Sequence, residues 1–365
     1  MRTEAPIERV RARAYRIPTE TPEADGTLEW RATTLVVVHV EGGGRTGVGY
    51  TYESAAAVAV VREQLASILH GRDAYGIAGA NLAMQRHVRN IGRSGVAACA
   101  IAAVDAALWD LKAKLLELPL VRLLGMCRSC VPVYGSGGFT NYDDAKLAAQ
   151  LGGWVEREGC RWVKMKVGSD PRRDPARMKA ARAAIGDTPL FIDANGALTC
   201  KEALELAAVA AVEGVRWFEE PVSSDDLRTL RLIRKRSPSG MDIAAGEYSY
   251  NLDNVRQMLE AGAVDVQQVD VTRCLGITGF LEAGTLCEAY HTDLSGHCAP
   301  SLHLHAACAV PRLRHLEYFF DHVRIEHMLF EGAARAHEGV ITPDLSRPGL
   351  GIEFKEVDAH PYAVD

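Results

Sequence analysis

The hydrophobic pattern of the chain changes about a third of the way along. IERVRARAYRI and TTLVVVHVEGGGRTGVGYTY alternate apolar and polar positions around a Gly-rich turn, which predicts antiparallel strands in a hairpin or meander. Between them, PTETPEADGTLEWRA carries two prolines and a glycine and reads as a loop. AAVAVVREQLASILHG and GVAACAIAAVDAALWDLKAKLLELPLVRLLG have helical patterns, and the second is broken at Pro119, where one helix should end and a short turn begin. Strands followed by helices predict an α+β domain over residues 1–125.

From VPVYGSGGF onwards, strand and helix patterns alternate. DPARMKAARAAIG, CKEALELAAVAAVEG and LDNVRQMLEAG read as helices, and apolar runs recur between them every 20 to 30 residues or roughly so, one βα unit each. The runs are WVKMK, LFIDAN, WFEEP, IAAGE, VDVQQVD, DLSGH and HLEY. About eight units fit between Val131 and Pro343, which predicts a parallel sheet closed into a (β/α)8 TIM barrel over residues 126–343. The tail, residues 344–365, is rich in turn residues and is expected to pack back onto the first domain. The fold class is therefore α/β: a barrel with an N-terminal α+β domain completed by the C-terminal tail.

Composition narrows the function classes. At 365 residues, 48% hydrophobic and 24% charged, the chain can bury a sizeable core. A net charge of −6 gives no general pull towards nucleic acid or anionic membrane. No apolar run approaches the roughly 20 residues that span a bilayer, and the N-terminus lacks a secretory apolar core. Neither nucleic acid nor membrane is expected as a partner, and a cytoplasmic location is. The cationic stretch at Arg231, Arg234, Lys235 and Arg236 reads as a solvated helix end. Nine dispersed cysteines include one C-x-x-C, Cys127 and Cys130, with no second pair at zinc-ribbon spacing, so free thiols are expected.

Each apolar run ends in ionisable residues, and a barrel gathers those ends at one mouth. Lys164 and Lys166 share a strand face, and their mutual repulsion is expected to lower the pKa of one and make it a base. Asp193, Glu219 and Glu247 end three successive strands and would repel unless a cation neutralised them. All-oxygen ligation suits Mg²⁺, with Mn²⁺ possible, better than Zn²⁺. Asn195 shares the face of Asp193 and can offer a neutral oxygen, while Glu220 should point away from Glu219, either solvated or supporting the metal ligands from behind. Asp270 can fix the tautomer of His297 and raise its basicity. Glu317 would either donate to a carboxylate or position a lysine. His303 and His305 fall in a predicted helix, where i and i+2 do not share a face, and read as structural. A carboxylate chelated by the metal has its α-proton acidified. Lys166 on one face and His297 on the other would permit inversion, or loss of a β-hydroxyl.

KMK, DAN, EEP, AGE, QVDVTRCLGITG and SGH occur in that order, after a segment containing Asp105, Trp109, Asp110, Lys112, Pro119, Leu124 and Gly125. Together these resemble the enolase superfamily, and specifically its mandelate racemase subgroup. A Lys or His base with Mg²⁺ is the known pattern of that superfamily rather than a deduction from these residues. The resemblance implies Asp193, Glu219 and Glu247 as Mg²⁺ ligands, Lys166 as one base, and His297 with Asp270 as the other. It implies that Lys164 holds the substrate carboxylate and that Glu317 contacts it. The muconate cycloisomerase branch places a second lysine on the sixth strand, where this chain has Asp270. In the family a loop of the capping domain closes over the site and sets specificity. Its counterpart here spans residues 19–32, with Glu20, Trp30 and Arg31, and its polarity favours a polyhydroxylated acid. The activity implied is Mg²⁺-dependent dehydration of an acid sugar to a 2-keto-3-deoxy acid. The alternatives are a racemase or epimerase of a 2-hydroxy acid, and a non-catalytic metal-binding barrel. A homo-oligomer, dimer to octamer, is also implied.

Overall fold

The computed structural model describes residues 4–364; residues 1–3 and 365, at the outer edges of the expected first domain and tail, lie outside the described residues. Strands β1 (Ile7–Ala24), β2 (Glu29–Gly42) and β3 (Arg45–Tyr52) form an antiparallel sheet. The run LVVV is apolar on consecutive positions because both faces of β2 are covered. Leu35 and Val37 join the core shared with the barrel, while Val36, Val38 and Val40 pack on the domain's own helices. The Ala-rich helix Val96–Leu115 lies directly on β3. A Cβ at Gly47 or Gly49 would come within 2.1 or 2.2 Å of the carbonyl oxygens of Ala107 or Ala103, so small residues on both elements permit the approach.

The segment expected as a loop between the first two strands is mostly strand: β1 continues through Pro18 and Pro22 to Ala24, and β2 begins at Glu29. A register shift between Pro18 and Glu23 absorbs the irregularity. Among the described residues no strand pairs beyond Tyr15 on the other edge of β1, and an edge strand tolerates proline. A hairpin closed at residues 25–28 thus reaches over the barrel.

The barrel strands are β4 (Val131–Gly137), β5 (Val163–Lys166), β6 (Leu190–Asp193), β7 (Val215–Glu219), β8 (Asp242–Ala245), β9 (Val266–Val269), β10 (Asp293–Gly296) and β11 (Leu313–Phe319). All eight are parallel, in chain order, and β11 closes on β4 with Leu316 opposite Val133. Tyr134, Phe191, Trp217, Ala244 and Val266 fill the interior as one apolar cluster, with the His315 ring against three of the aromatics. In the tail, Ala363–Val364 pairs with β1, Phe354 packs against Tyr15, and the Leu350 N–H donates to Asp110 Oδ1 at 2.7 Å. Asp110 Oδ2 accepts from the Val48 N–H, so this buried acid joins capping sheet, linker helix and tail.

Candidate active site

Lys166 on β5, Asp193 on β6 and Glu219 on β7 are direct neighbours in the strand register and stand at one level of the barrel mouth. Lys166 Nζ lies 2.6 Å from Asp193 Oδ2. Lys164 Nζ lies 3.1 Å from the same oxygen, 2.5 Å from Glu219 Oε1 and 2.8 Å from Glu317 Oε1. Trp217, two residues before Glu219 and on the same inward face, donates its indole N–H to Glu219 Oε2 at 2.9 Å. Glu247 follows Gly246, whose φ of +128° admits glycine alone and whose Cβ would meet Gln268 O at 2.3 Å.

Across the mouth, His297 follows β10. Its Nδ1 is 2.8 Å from Asp270 Oδ2, and its Nε2 is 3.0 Å from Glu247 Oε2 and 3.6 Å from Glu317 Oε2. Asp270 Oδ1 accepts from the Thr272 N–H at 2.7 Å, which fixes the carboxylate's orientation. Glu317 Oε1 also accepts from Ser136 Oγ at 2.6 Å, and its Oε2 from the Cys298 N–H at 3.2 Å. His303 accepts the Val271 N–H on Nε2 and gives Nδ1–H to Ala299 O, while His305 accepts the Val121 N–H. Both rings are spent on backbone.

The expected lowering of a lysine pKa does not follow from the two lysines alone. Burial disfavours both ammonium groups, yet Lys164 is held charged by Glu219 and Glu317, and Lys166 by Asp193. Carboxylates from other strands outweigh the repulsion between the two lysines. Burial and the charge of Asp193 push Glu219 up to about 8 in spite of its contact with Lys164. Burial also opposes ionisation of Glu247 and Glu317, but His297 holds the first well below the carboxylate range, and Lys164 lowers the second. Asp270 is held at about 2, against the cost of burial, by its hydrogen bond from His297. Glu317 is therefore an ionised partner of a lysine, not a donor. His297 is pulled up against desolvation by Cys298 and Glu247.

Of the two roles expected for Glu220, solvated acid or support behind the metal ligands, the first does not hold. Instead of being solvated it is buried, with φ +37° and an unpartnered Oε1, and desolvation and Glu247 raise its pKa well above the usual value. Strand alternation stops at Glu219, so the i+1 rule does not govern it. Asn195 likewise leaves the strand at φ +46°; it lines the mouth, and its Oδ1 is buried without a partner.

Above these groups lies a cavity of about 340 Å³ whose wall includes Trp30, Thr33 and Thr34 from the capping hairpin. Trp30 gives its indole N–H to Glu23 Oε2 at 3.0 Å and meets Phe139 edge-on. Glu20 and Arg31, expected beside it, are exposed and form no part of the wall. Sequence reasoning missed Thr33, Glu53, Tyr248, Arg273, Cys298 and His322, which also line the cavity. Only Arg273 had a local signal, three residues beyond Asp270 on the same loop. A larger cleft of about 860 Å³ lies on the outer capping sheet beside Arg9, Arg11 and Arg13, and holds none of this chemistry.

Two family models match the chain: "Mandelate racemase / muconate lactonizing enzyme, N-terminal domain" over residues 10–125, and "Enolase C-terminal domain-like" over residues 146–358. A 3,6-anhydro-alpha-L-galactonate cycloisomerase of Streptomyces coelicolor is 35% identical, over 95% of this chain and 96% of that protein. The L-talarate/galactarate dehydratase of Salmonella typhimurium is 30% identical, over 96% of this chain and 89% of that protein. A structure of an L-talarate/galactarate dehydratase mutant liganded with Mg and L-glucarate superposes with a TM-score of 0.91 at 28% identity, covering 100% of this chain and 93% of that one. A mandelate racemase/muconate lactonizing enzyme-like protein from Rubrobacter xylanophilus superposes with a TM-score of 0.96 at 49% identity, over 98% and 99% of the two chains.

Proposed function

This chain belongs to the mandelate racemase/muconate lactonizing enzyme family of enolase-like barrels, and from that premise we propose that it removes the α-proton of an acid sugar and expels its β-oxygen. The chain is an enzyme of lyase or isomerase type. The observation that carries the proposal is the Asp270–His297 dyad, 2.8 Å apart, whose imidazole lines the same cavity as Lys166 while following a different strand, β10 rather than β5.

Mg²⁺ fits the donor set of Asp193, Glu219 and Glu247. Burial and then repulsion from Asp193 raise the pKa of Glu219, and burial and then repulsion from Glu247 raise that of Glu220, crowding that a divalent cation would relieve, and the buried Asn195 oxygen lacks a partner. When bound there, Mg²⁺ supplies charge stabilisation for the carboxylate as the α-proton departs. Burial disfavours the charged form of Lys166, Asp193 favours it, and the neighbouring Lys164 ammonium opposes it. Lys166 Nζ or His297 Nε2 takes the α-proton according to configuration, and Asp270 stabilises the imidazolium. Lys164 and Glu317 position the substrate carboxylate. Thr33, Thr34 and Asn195 offer hydrogen bonds to sugar hydroxyls, and Trp30 an apolar ring face, which supports a polyhydroxylated substrate.

Dehydration to a 2-keto-3-deoxy acid is the leading reading. A second has its own support in the 35% identical cycloisomerase: a leaving oxygen held in a ring of the substrate would give isomerisation without release of water. Mono- and diacid sugars, together with anhydro acids and lactones, are incubated with enzyme and Mg²⁺ in D₂O. The expected outcome is a semicarbazide-reactive keto acid from one subset, abolished by EDTA and restored by Mg²⁺. Deuterium at the α-carbon of recovered substrate without any keto acid would mark a racemase. Absence of both exchange and turnover across the panel would overturn the assignment.

A further inference from the structure

The tightest potential metal-binding cluster among the described residues is not the acid trio but His297, Cys298 and Glu317. Cys298 Sγ lies 3.3 Å from His297 Nε2 and 3.3 Å from Glu317 Oε2, and those two atoms are 3.6 Å apart. Zn²⁺ bond lengths of about 2.3 Å to sulfur and 2.0–2.2 Å to nitrogen or oxygen require tetrahedral ligand separations of roughly 3.4–3.6 Å. The observed triangle meets that requirement to within a few tenths of an ångström.

From this geometry we infer a second metal site, built of His297 Nε2, Cys298 Sγ and Glu317 Oε2, that takes a borderline-soft divalent ion such as Zn²⁺ in place of Mg²⁺. Thiolate and imidazole are poor ligands for Mg²⁺ and good ones for Zn²⁺. One thiolate and one carboxylate neutralise the ion, so the occupied site is uncharged in a buried setting. The supporting hydrogen bonds already exist: His297 Nδ1 meets Asp270, the carboxylate–histidine–zinc arrangement, and Glu317 Oε1 is held by Ser136 and Lys164. All three ligands line the cavity, and Glu247 Oε2, 3.0 Å from His297 Nε2, lies beside them. Cys298 and Ala299 both adopt left-handed φ, +52° and +38°, a strained backbone at the end of β10, and the thiol lines the mouth. Binding sends the thiol proton, and any imidazolium proton, to solvent.

Occupancy takes the His297 nitrogen that faces the cavity, so the ion is an inhibitor. That consequence rests on the reading of His297 as a base; the site itself does not. The test uses full-length, Mg²⁺-saturated enzyme carrying Cys127→Ser and Cys130→Ser, to remove the surface thiols. Co²⁺ serves as the probe because its thiolate complexes show a near-ultraviolet charge-transfer band. The expected result is one Co²⁺ per chain with that band, displaced stoichiometrically by Zn²⁺. Cys298→Ser should abolish the band and weaken Zn²⁺ by at least ~10-fold, the lower end of what loss of even a supporting group costs. Glu317→Gln should weaken Zn²⁺ while retaining a band, and Zn²⁺ should suppress α-proton exchange wherever exchange is found. A band surviving Cys298→Ser, or Co²⁺ displaced by millimolar Mg²⁺, would overturn the site. The band reads binding whether or not turnover is detected, so failure here and failure of the proposed reaction are separable.

Discussion

Gly26 sits at the tip of the capping hairpin, where a single methyl group should pry the hairpin off the barrel. A Cβ there would lie 2.4 Å from Ala194 O, 2.8 Å from Val167 O and 2.9 Å from Ala197 Cβ. Two of the three are backbone atoms at the ends of β5 and β6 that cannot rotate away. Ordinary contact begins at 3.4 Å, so in Gly26→Ala the tip must lift by about 1 Å. Overpacking of this kind costs about 1–3 kcal/mol. The cheapest relief is to break the bonds that seat the tip, Thr140 Oγ1 to Asp25 O and the Thr140 N–H to Ala24 O, both 2.8 Å. The penalty then falls on closure rather than on global folding. If substrate binds the closed hairpin, that energy weakens its apparent affinity by about 5–150-fold. The assays are kcat and KM on whichever member of the acid-sugar panel is turned over, with amide hydrogen exchange over residues 18–32 as a substrate-independent readout. Gly79→Ala is the control: its Cβ would meet nothing within 4 Å, and its helix should tolerate or welcome the change. Unaltered KM and unaltered exchange in Gly26→Ala, with the fold intact, would refute the idea that this contact governs closure.

Two further outcomes follow from the geometry. Lys166→Ala and His297→Asn should each lose about 10²–10⁴-fold in turnover for substrates whose α-proton faces that residue, with the circular dichroism of the folded chain retained; retention of exchange in both would remove them as the bases. Burial, then repulsion by Asp321, raises Glu23 to about 8 from its ordinary 4.5, against the Trp30 hydrogen bond, Arg324 and Lys146. Between those pH values the folded state keeps a proton that the unfolded chain releases, so the contribution of Glu23 to stability is full below pH 4.5 and is lost as pH rises through about 8. Glu23→Gln should flatten that fall in denaturation midpoints, and an equal slope in the variant would count against it.

Much of the site was legible because strand periodicity survives in sequence. Runs such as LFID and VRWFE end on a carboxylate at the point where a barrel strand meets its mouth, so their side chains had to share one rim. That logic holds only while the backbone stays extended. Glu220 and Asn195 lie one and two residues past their strands at positive φ, so alternation misplaces the first and finds the second for the wrong reason. Prolines 18 and 22 read as loop punctuation because sequence does not record that this stretch of β1 has a free edge.

The chain's own order of apolar runs and terminal charges therefore determined the barrel, its companion α+β domain and the acids and bases that meet at the mouth. Ionisation was decided by closure. Lys164 has a like charge two residues away, but β6, β7 and β11 bring three carboxylates to its ammonium, and Coulomb energy depends on distance in space rather than along the chain. The Cys298 thiol beside His297 and Glu317 likewise exists only because two left-handed residues fold back across the end of β10.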